Sequence, residues 1–152
     1  MHNDFHLAPF LETDTATLLP MIRDFCIEDG VPYEKSIPAL LRELLVSPQL
    51  GCVFMLRNGR ATIGYAVLSW RFCLEYGGKI AHLDEFYLTP PARGHGAGAA
   101  LIEAIASHCA TQGAHRILLD TVVVNSGARE FYRKVHFHSN ERISQYLDLT
   151  GR

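Results

Sequence analysis

The sequence predicts an α+β fold in which a mostly antiparallel sheet is joined to a βαβ unit. Three observations carry that prediction. Two helical patterns come early, between residues 17 and 45. Three strand-like runs follow, separated by the reversal signals Asn58-Gly59 and Gly77-Gly78. After Leu88 a glycine-rich loop, a helix, an apolar strand and a second helix succeed one another, as in a parallel crossover.

Each element has a local reason. Phe5 to Phe10 reads as a short first strand. From Thr17 to Glu28, Leu18, Ile22, Phe25 and Cys26 recur at helical spacing, and Pro20 fits the first turn if Thr17 is the cap. Ser36 caps a second helix carrying Ile37, Leu40, Leu41, Leu44 and Leu45, which stops at Ser47-Pro48. Gly51–Arg57 and Ala61–Cys73 flank Asn58-Gly59, a hairpin signal in which both turn positions take positive φ. Ile80 to Leu88 is the next strand. A small-residue helix runs from Gly96 to Gln112 and ends at Gly113. His115 to Val124 is apolar and β-branched enough for a buried central strand. Asn125 caps a helix with Ala128, Phe131, Tyr132 and Val135 on one stripe, and Phe137–Leu149 holds one or two more strands.

The chain has 152 residues, 48% apolar and 20% charged, which is the size and composition of one globular domain spanning residues 1–152. A net charge of −2 supplies no bulk basic field for nucleic acid or an anionic membrane. No basic segment followed by an apolar one opens the chain, and no apolar run approaches the roughly 20 residues of a membrane span. Cys26, Cys52, Cys73 and Cys109 are scattered without a CxxC pair, so they read as reduced thiols and the expected location is cytoplasmic.

The chemistry concentrates in Asp84-Glu-Phe-Tyr-Leu-Thr-Pro-Pro-Ala-Arg-Gly-His-Gly-Ala-Gly-Ala. A strand feeds a loop with glycines at 94, 96 and 98, and a helix opens inside it. Unpaired N–H groups and the helix dipole make such a turn an anion site. Arg93 and His95 add side-chain donors. The absence of Gly-Lys-Ser/Thr excludes a P-loop. Gly94-His-Gly-Ala-Gly-Ala also fits a dinucleotide fingerprint, with Asp120 near the offset of a ribose-binding acid. Against it, the glycines begin well after the strand, three antiparallel strands precede them, and too little chain follows for a six-stranded parallel sheet.

Arg93-Gly-His-Gly-Ala-Gly resembles the [RQ]-x-x-G-x-[GA] acyl-CoA loop of the GNAT superfamily of N-acetyltransferases, and Asn125-Ser-Gly-Ala-Arg-Glu-Phe-Tyr-Arg-Lys resembles its second block, N-x-x-A-x-x-F-Y. The two blocks lie on successive βα units, and the order of elements agrees over essentially the whole chain. One departure is His136, where the family usually has glycine; it is compatible with the turn if its φ is negative.

The resemblance implies a sheet of about seven strands with about four helices, splayed between the fourth and fifth strands. It implies acetyl-CoA as cosubstrate and direct transfer, through a ternary complex, to a primary amine of a small molecule or peptide. The pantetheine arm would lie between the strands of Leu88 and Val122–Val124, on main-chain groups of Phe86, Tyr87 and Leu88. The pyrophosphate would take the N–H groups of Gly94, His95, Gly96, Ala97, Gly98 and Ala99 beside Arg93, and Asn125 would add a cofactor contact beyond its capping role.

An alkylamine with a pKa near 10.4 must first lose a proton, at a cost of about 4–5 kcal/mol at pH 7. A carboxylate beside the cleft accepts it. Glu85 is the first candidate and Asp84 the second, since alternation sends them to opposite faces and a bulge would exchange them. Tyr132 occupies the position of the general acid in many relatives, and also reads as a core aromatic. Glu75, Trp70, Tyr76, His82 and Glu28 are candidates for acceptor contacts, with Asp29 and Glu34 extending a negative rim. No metal is expected: His136-x-His138 lacks a third ligand. Relatives often dimerise through C-terminal strands, which leaves a homodimer open. Two alternatives stand beside this reading, a noncatalytic acyl-CoA-binding regulatory module and a dinucleotide-dependent oxidoreductase.

Overall fold

Strand order in space equals strand order in the chain. The computed structural model describes residues 3–151. Its strands are β1 (Phe5–Pro9), β2 (Gly51–Asn58), β3 (Ala61–Cys73), β4 (Gly78–Leu88) and β5 (Ile117–Leu118), and its helices α1 (Thr15–Asp29), α2 (Ile37–Val46), α3 (Ala97–Thr111) and α4 (Ser126–Lys134). The sheet runs β1-β2-β3-β4-β5, antiparallel up to β4 and parallel between β4 and β5.

Alternation along the strands builds two cores. Phe54, Leu56, Ala66, Leu68, Ala81 and Leu83 face α3 through Leu101, Ile102, Ile105 and Cys109. Val53, Met55, Tyr65 and Tyr87 face α1 and α2 through Leu18, Met21, Ile22, Cys26 and Leu41. Met55, Leu56, Leu68, Leu101 and Ile105 are fully buried, each contributing about 1.5–3 kcal/mol of apolar transfer.

A bulge in β4 positions the site. Val67 pairs with Glu85 but Leu68 pairs with Leu83, so Asp84 has no partner on β3. The extra residue shifts the alternation by one. Leu83 and Phe86 therefore share the α3 face, while Tyr87 joins the α1 face.

Several expectations are corrected. Among the described residues five strands form rather than about seven. Of His115–Val124 only Ile117 and Leu118 pair, and 137–149 contains no strand. β-branched composition makes a strand only where an edge is available for pairing. Beyond Leu118 the chain turns away from the edge of β4 without pairing to it, and Val123 and Val124 are 78% and 87% exposed. The first helix begins at Thr15, behind a 3-10 turn at Glu12–Asp14, rather than at Thr17. Pro20 consequently lies inside the helix; the carbonyl it leaves free, on Ala16, is on an exposed residue where water takes the bond. Ser36 is the cap of α2 but makes no side-chain bond. In the β2–β3 turn only Gly59 has positive φ, 56°, and Asn58 pairs with Ala61. That pattern, glycine first, belongs to the II′ hairpin.

His136 has a φ of 71°, so the condition of negative φ is not met. The cause is the end of α4. Phe137 N donates to Tyr132 O at 2.9 Å and His136 N to Arg133 O at 3.2 Å, the bond pair of a Schellman motif. Phe137 packs edge-on against Tyr132, ring centroids 5.4 Å apart, completing its hydrophobic contact. The motif needs a left-handed residue at 136, and a histidine there costs about 1–2 kcal/mol. His136→Gly is expected to stabilise the fold by about 1 kcal/mol and raise Tm by about 2–4 °C. An unchanged or lower Tm in calorimetry would show that the turn holds no such strain.

Candidate active site

The pairing of β4 with β5 covers Ala81↔Ile117 and His82↔Leu118, then stops. Past that fork a cleft of about 740 Å³ opens, walled by β4, the 93–99 loop, the inner face of α4, the chain after β5 and the end of α1.

At one end the backbone offers unpaired donors. Gly94 and Gly96 have φ near 80°, which turns the chain so that α3 begins facing the cleft. The bond from Ala100 N to Gly96 O, 3.2 Å, opens the helix. No side chain caps it, so the N–H groups of Ala97, Gly98 and Ala99 have no helical acceptor. Thr89 N donates to Ile63 O across the β3 side, 2.9 Å. By alternation the peptide groups of Leu88 and Phe86 point the other way, toward the fork.

Aromatic packing sets the wall between the ends. Phe86 and Phe131 stack with their rings 6° from parallel and centroids 6.1 Å apart. A Cβ on Gly98 would stand 2.8 Å from Phe131 Cε2, so the third glycine of the loop serves helix packing. Asn125 Oδ1 accepts from Ala128 N at 3.0 Å, which fixes the start of α4. Tyr132 lines the cleft. Burial, with Asp29 adding, pushes its phenol up to about 12.

Acids gather at the other end. Asp84, freed by the bulge, lines the cleft, as do Glu28, Asp29 and Asp120. Arg93 neutralises Glu28: its Nη2 lies 2.7 and 3.0 Å from the two carboxylate oxygens, while its Nε donates to Leu88 O at 2.8 Å. Glu85 points to the other face, where Tyr65 OH donates to it at 2.5 Å. Burial raises the Glu85 carboxyl above the usual range; the Tyr65 bond opposes this, and Asp84 and Asp29 add to it.

The sign of that shift gives a test. A carboxyl raised in the folded state binds its proton more tightly there than in the unfolded chain, so ionisation at neutral pH weakens the fold. Glu85→Gln is expected to raise Tm at pH 7, and the gain should shrink as pH falls and wild-type Glu85 takes up its proton. A gain that persists unchanged into acid would remove ionisation as its cause.

The model of the Acetyltransferase (GNAT) family matches residues 18–137 of the chain. The chain belongs to the GNAT family. An aminoglycoside N(6′)-acetyltransferase type 1 of Klebsiella aerogenes is 31% identical over 124 residues, covering 79% of this chain and 80% of that protein. An uncharacterized N-acetyltransferase of Methanocaldococcus jannaschii is 31% identical over 74 residues, 49% of this chain. The match spans only 33% of that longer relative. A crystal structure of an integron cassette protein from the mobile metagenome of Cole Harbour Salt Marsh superposes with a TM-score of 0.80 at 26% identity, covering 97% of this chain and 91% of that one.

Within this GNAT chain the residues singled out by sequence divide in two. Asp84, Phe86, Tyr87, Leu88, Arg93, Gly94, Gly96, Gly98, Ala99, Asn125, Tyr132 and Glu28 all line the cleft. The others lie elsewhere, each for a visible reason. His95 turns outward to a separate depression beside Asn58 and Thr89. Ala97 is 1% exposed and packs in the α3 core. Glu75 is held by Arg142 at 2.9 Å through both oxygens. Tyr76 lies beneath the guanidinium groups of Arg116 and Arg142. Trp70 donates its indole N–H to Pro48 O and carries Lys79 over its ring. Phe25, Lys134 and Thr121 line the GNAT cleft and went unnoticed in the sequence. They arrive there by tertiary docking, with no motif to mark them. No helix among the described residues is long and apolar enough to cross a membrane, and no group of three or more His, Cys, Asp or Glu residues among them is arranged to hold a metal ion.

Proposed function

We propose that this protein transfers the acetyl group of acetyl-CoA to a primary amine by direct attack in a ternary complex. The observation that carries the reading is the fork itself: one cleft joins unpaired helix N-terminal donors to an unpaired strand edge and the carboxylate of Asp84. The backbone N–H groups of Gly98 and Ala99, which line the cleft, with the dipole of α3, suit a pyrophosphate. The Phe86 and Leu88 peptide groups suit an extended arm laid along the open edge of β4, and Arg93 already occupies the Leu88 carbonyl, leaving its N–H for the thioester oxygen. A fixed donor there stabilises developing negative charge by roughly 3 kcal/mol.

Acetyl-CoA supplies an activated acyl group; the protein supplies position and proton handling. Asp84, rather than Glu85, is the carboxylate that takes the amine proton, because it lines the cleft while Glu85 is engaged by Tyr65. Tyr132, whose phenol is held above its ordinary range by burial, donates toward the leaving sulfur. The acidic end favours a cationic acceptor, and a relative named as an aminoglycoside acetyltransferase puts aminoglycosides in the first acceptor panel.

The test is thermal unfolding with acetyl-CoA, CoA and NADH, followed by release of free thiol from acetyl-CoA across a panel of amines. A ligand at about 100 times its Kd adds roughly 2.7 kcal/mol, a rise of several degrees. Shifts by both CoA species, none by NADH, and amine-dependent thiol release are expected. Binding without release from any amine would favour a regulatory module; a shift by NADH alone would favour an oxidoreductase.

A further inference from the structure

We infer that His82 is the residue on which the acceptor's proton comes to rest, held between Asp84 and Asp120 at the apex of the fork. The inference deepens the acetyl-transfer reading and rests on it. His82 is the last residue of β4 paired with β5, so its ring stands where the two strands separate. Nδ1 lies 2.8 Å from Asp84 Oδ1, and Nε2 lies 3.3 Å from Asp120 Oδ2. One carboxylate comes from each side of the fork, and both line the cleft. The ring is the most sheltered member, its side chain 18% exposed against 39% for Asp84 and 72% for Asp120.

The arrangement distinguishes the two protonation states of the ring. A neutral imidazole has one N–H and one lone pair, so it satisfies one carboxylate and turns its lone pair toward the other. An imidazolium donates to both. The groups facing the ring agree: Asp84 on its own strand, Asp120 beyond β5, and the uncharged register partners Ser69 on β3 and Leu118 on β5. Correspondingly, the hydrogen bond to Asp84 raises the imidazole above its ordinary range, burial opposes this, and the charges of Asp84 and Asp120 reinforce it.

The step balances without a co-reactant. The acceptor enters as an ammonium beside Asp84. One N–H bond breaks and the nitrogen keeps the electron pair. The proton passes through the Asp84 carboxylate to Nδ1, converting a neutral ring that already donates from Nε2 into an imidazolium. The free amine is then ready to attack. After the acetylated product departs, the ring returns the proton from Nδ1 through Asp84 to water, which restores the tautomer that donates from Nε2 to Asp120. An aspartate alone is too weak a base to retain an alkylamine's proton near pH 7, whereas an imidazole titrates in that range.

His82 must be neutral to accept, so kcat/KM for the amine should fall on the acid side as the ring becomes charged. The experiment measures pH profiles of the wild-type enzyme, His82→Gln and Asp120→Asn, with ring titration by NMR in the resting protein. His82→Gln is expected to lower kcat about 10²-fold, to lose the acid limb assigned to the ring, and to leave the KM for acetyl-CoA unchanged. Asp120→Asn removes one of the two carboxylates, and both the ring titration and the acid limb should move together to lower pH. A His82→Gln enzyme that keeps its acid limb and its kcat within threefold overturns the inference. So does a ring that titrates identically in wild type and Asp120→Asn. Failure of the underlying reading looks different: the wild-type protein then releases no thiol from acetyl-CoA with any amine, whatever the ring titration shows.

Discussion

Asp84→Asn is expected to lower kcat/KM for the amine about 10²- to 10³-fold at pH 7 while leaving the thermal shift by acetyl-CoA intact. The amide matches the carboxylate in size but cannot take a proton, and general-base contributions of this kind run to about 10²–10⁴-fold. The effect falls on Asp84 because of the bulge. Without the extra residue at 84, Glu85 and Asp84 would exchange faces. The loss should diminish as pH rises, since each unit below an amine pKa near 10.4 multiplies the free-base fraction by about ten. Glu85→Gln should cost less than tenfold at any pH. The reverse order, with Glu85→Gln the more damaging, would move the proton-accepting role to the carboxyl bonded by Tyr65.

Gly64→Ala is expected to be strongly destabilising, at about 2–4 kcal/mol and roughly 10 °C in Tm. A Cβ on Gly64 would overlap the carbonyl oxygen of Tyr87. That oxygen is main chain in a paired strand and cannot rotate aside, so relief requires parting β3 from β4. Gly64 pairs with Leu88, the last residue of β4 before the loop, so the same displacement would move the edge that faces the cleft. Gly127→Ala, at a helical site where the added Cβ has only Asn125 Oδ1 at 3.8 Å, is the control and should change Tm little. Equal Tm values for the two variants would refute the close-approach argument.

What could be read from the sequence follows from how local the cause is. The hairpins, the glycine-rich loop and the Asn125 cap are set by a few neighbouring residues. All of them form, as does the order of elements from β1 to α4. The features that escaped depend on partners far along the chain. His136 adopts positive φ because Phe137 N and the Tyr132 carbonyl close the end of α4, and the sign of φ is not encoded in the histidine. Val122–Val124 has the composition of a strand, yet pairing depends on staying beside β4, and the chain leaves that edge after Leu118. Which of Asp84 and Glu85 lines the cleft turned on one unpaired residue. Trp70, Tyr76 and Glu75, aromatic and acidic residues near a hairpin tip, lie off the cleft for an equally non-local reason: Lys79, Arg116 and Arg142 engage them.

The match between chain order and strand order has a consequence for how the molecule comes to exist. From β2 to β4 each strand closes on the one before it through a short connection, so these pairings demand little loop-closure entropy. β5 can reach β4 only after α3 has crossed the sheet, and it then makes two residue pairs. The wall of the cleft made by β4 is therefore expected to mature early in folding, and the opposite wall last. Pulse-labelled amide exchange should protect Val53–Leu56 and Tyr65–Leu68 before Ile117 and Leu118; simultaneous protection would mean that the sheet condenses in one step.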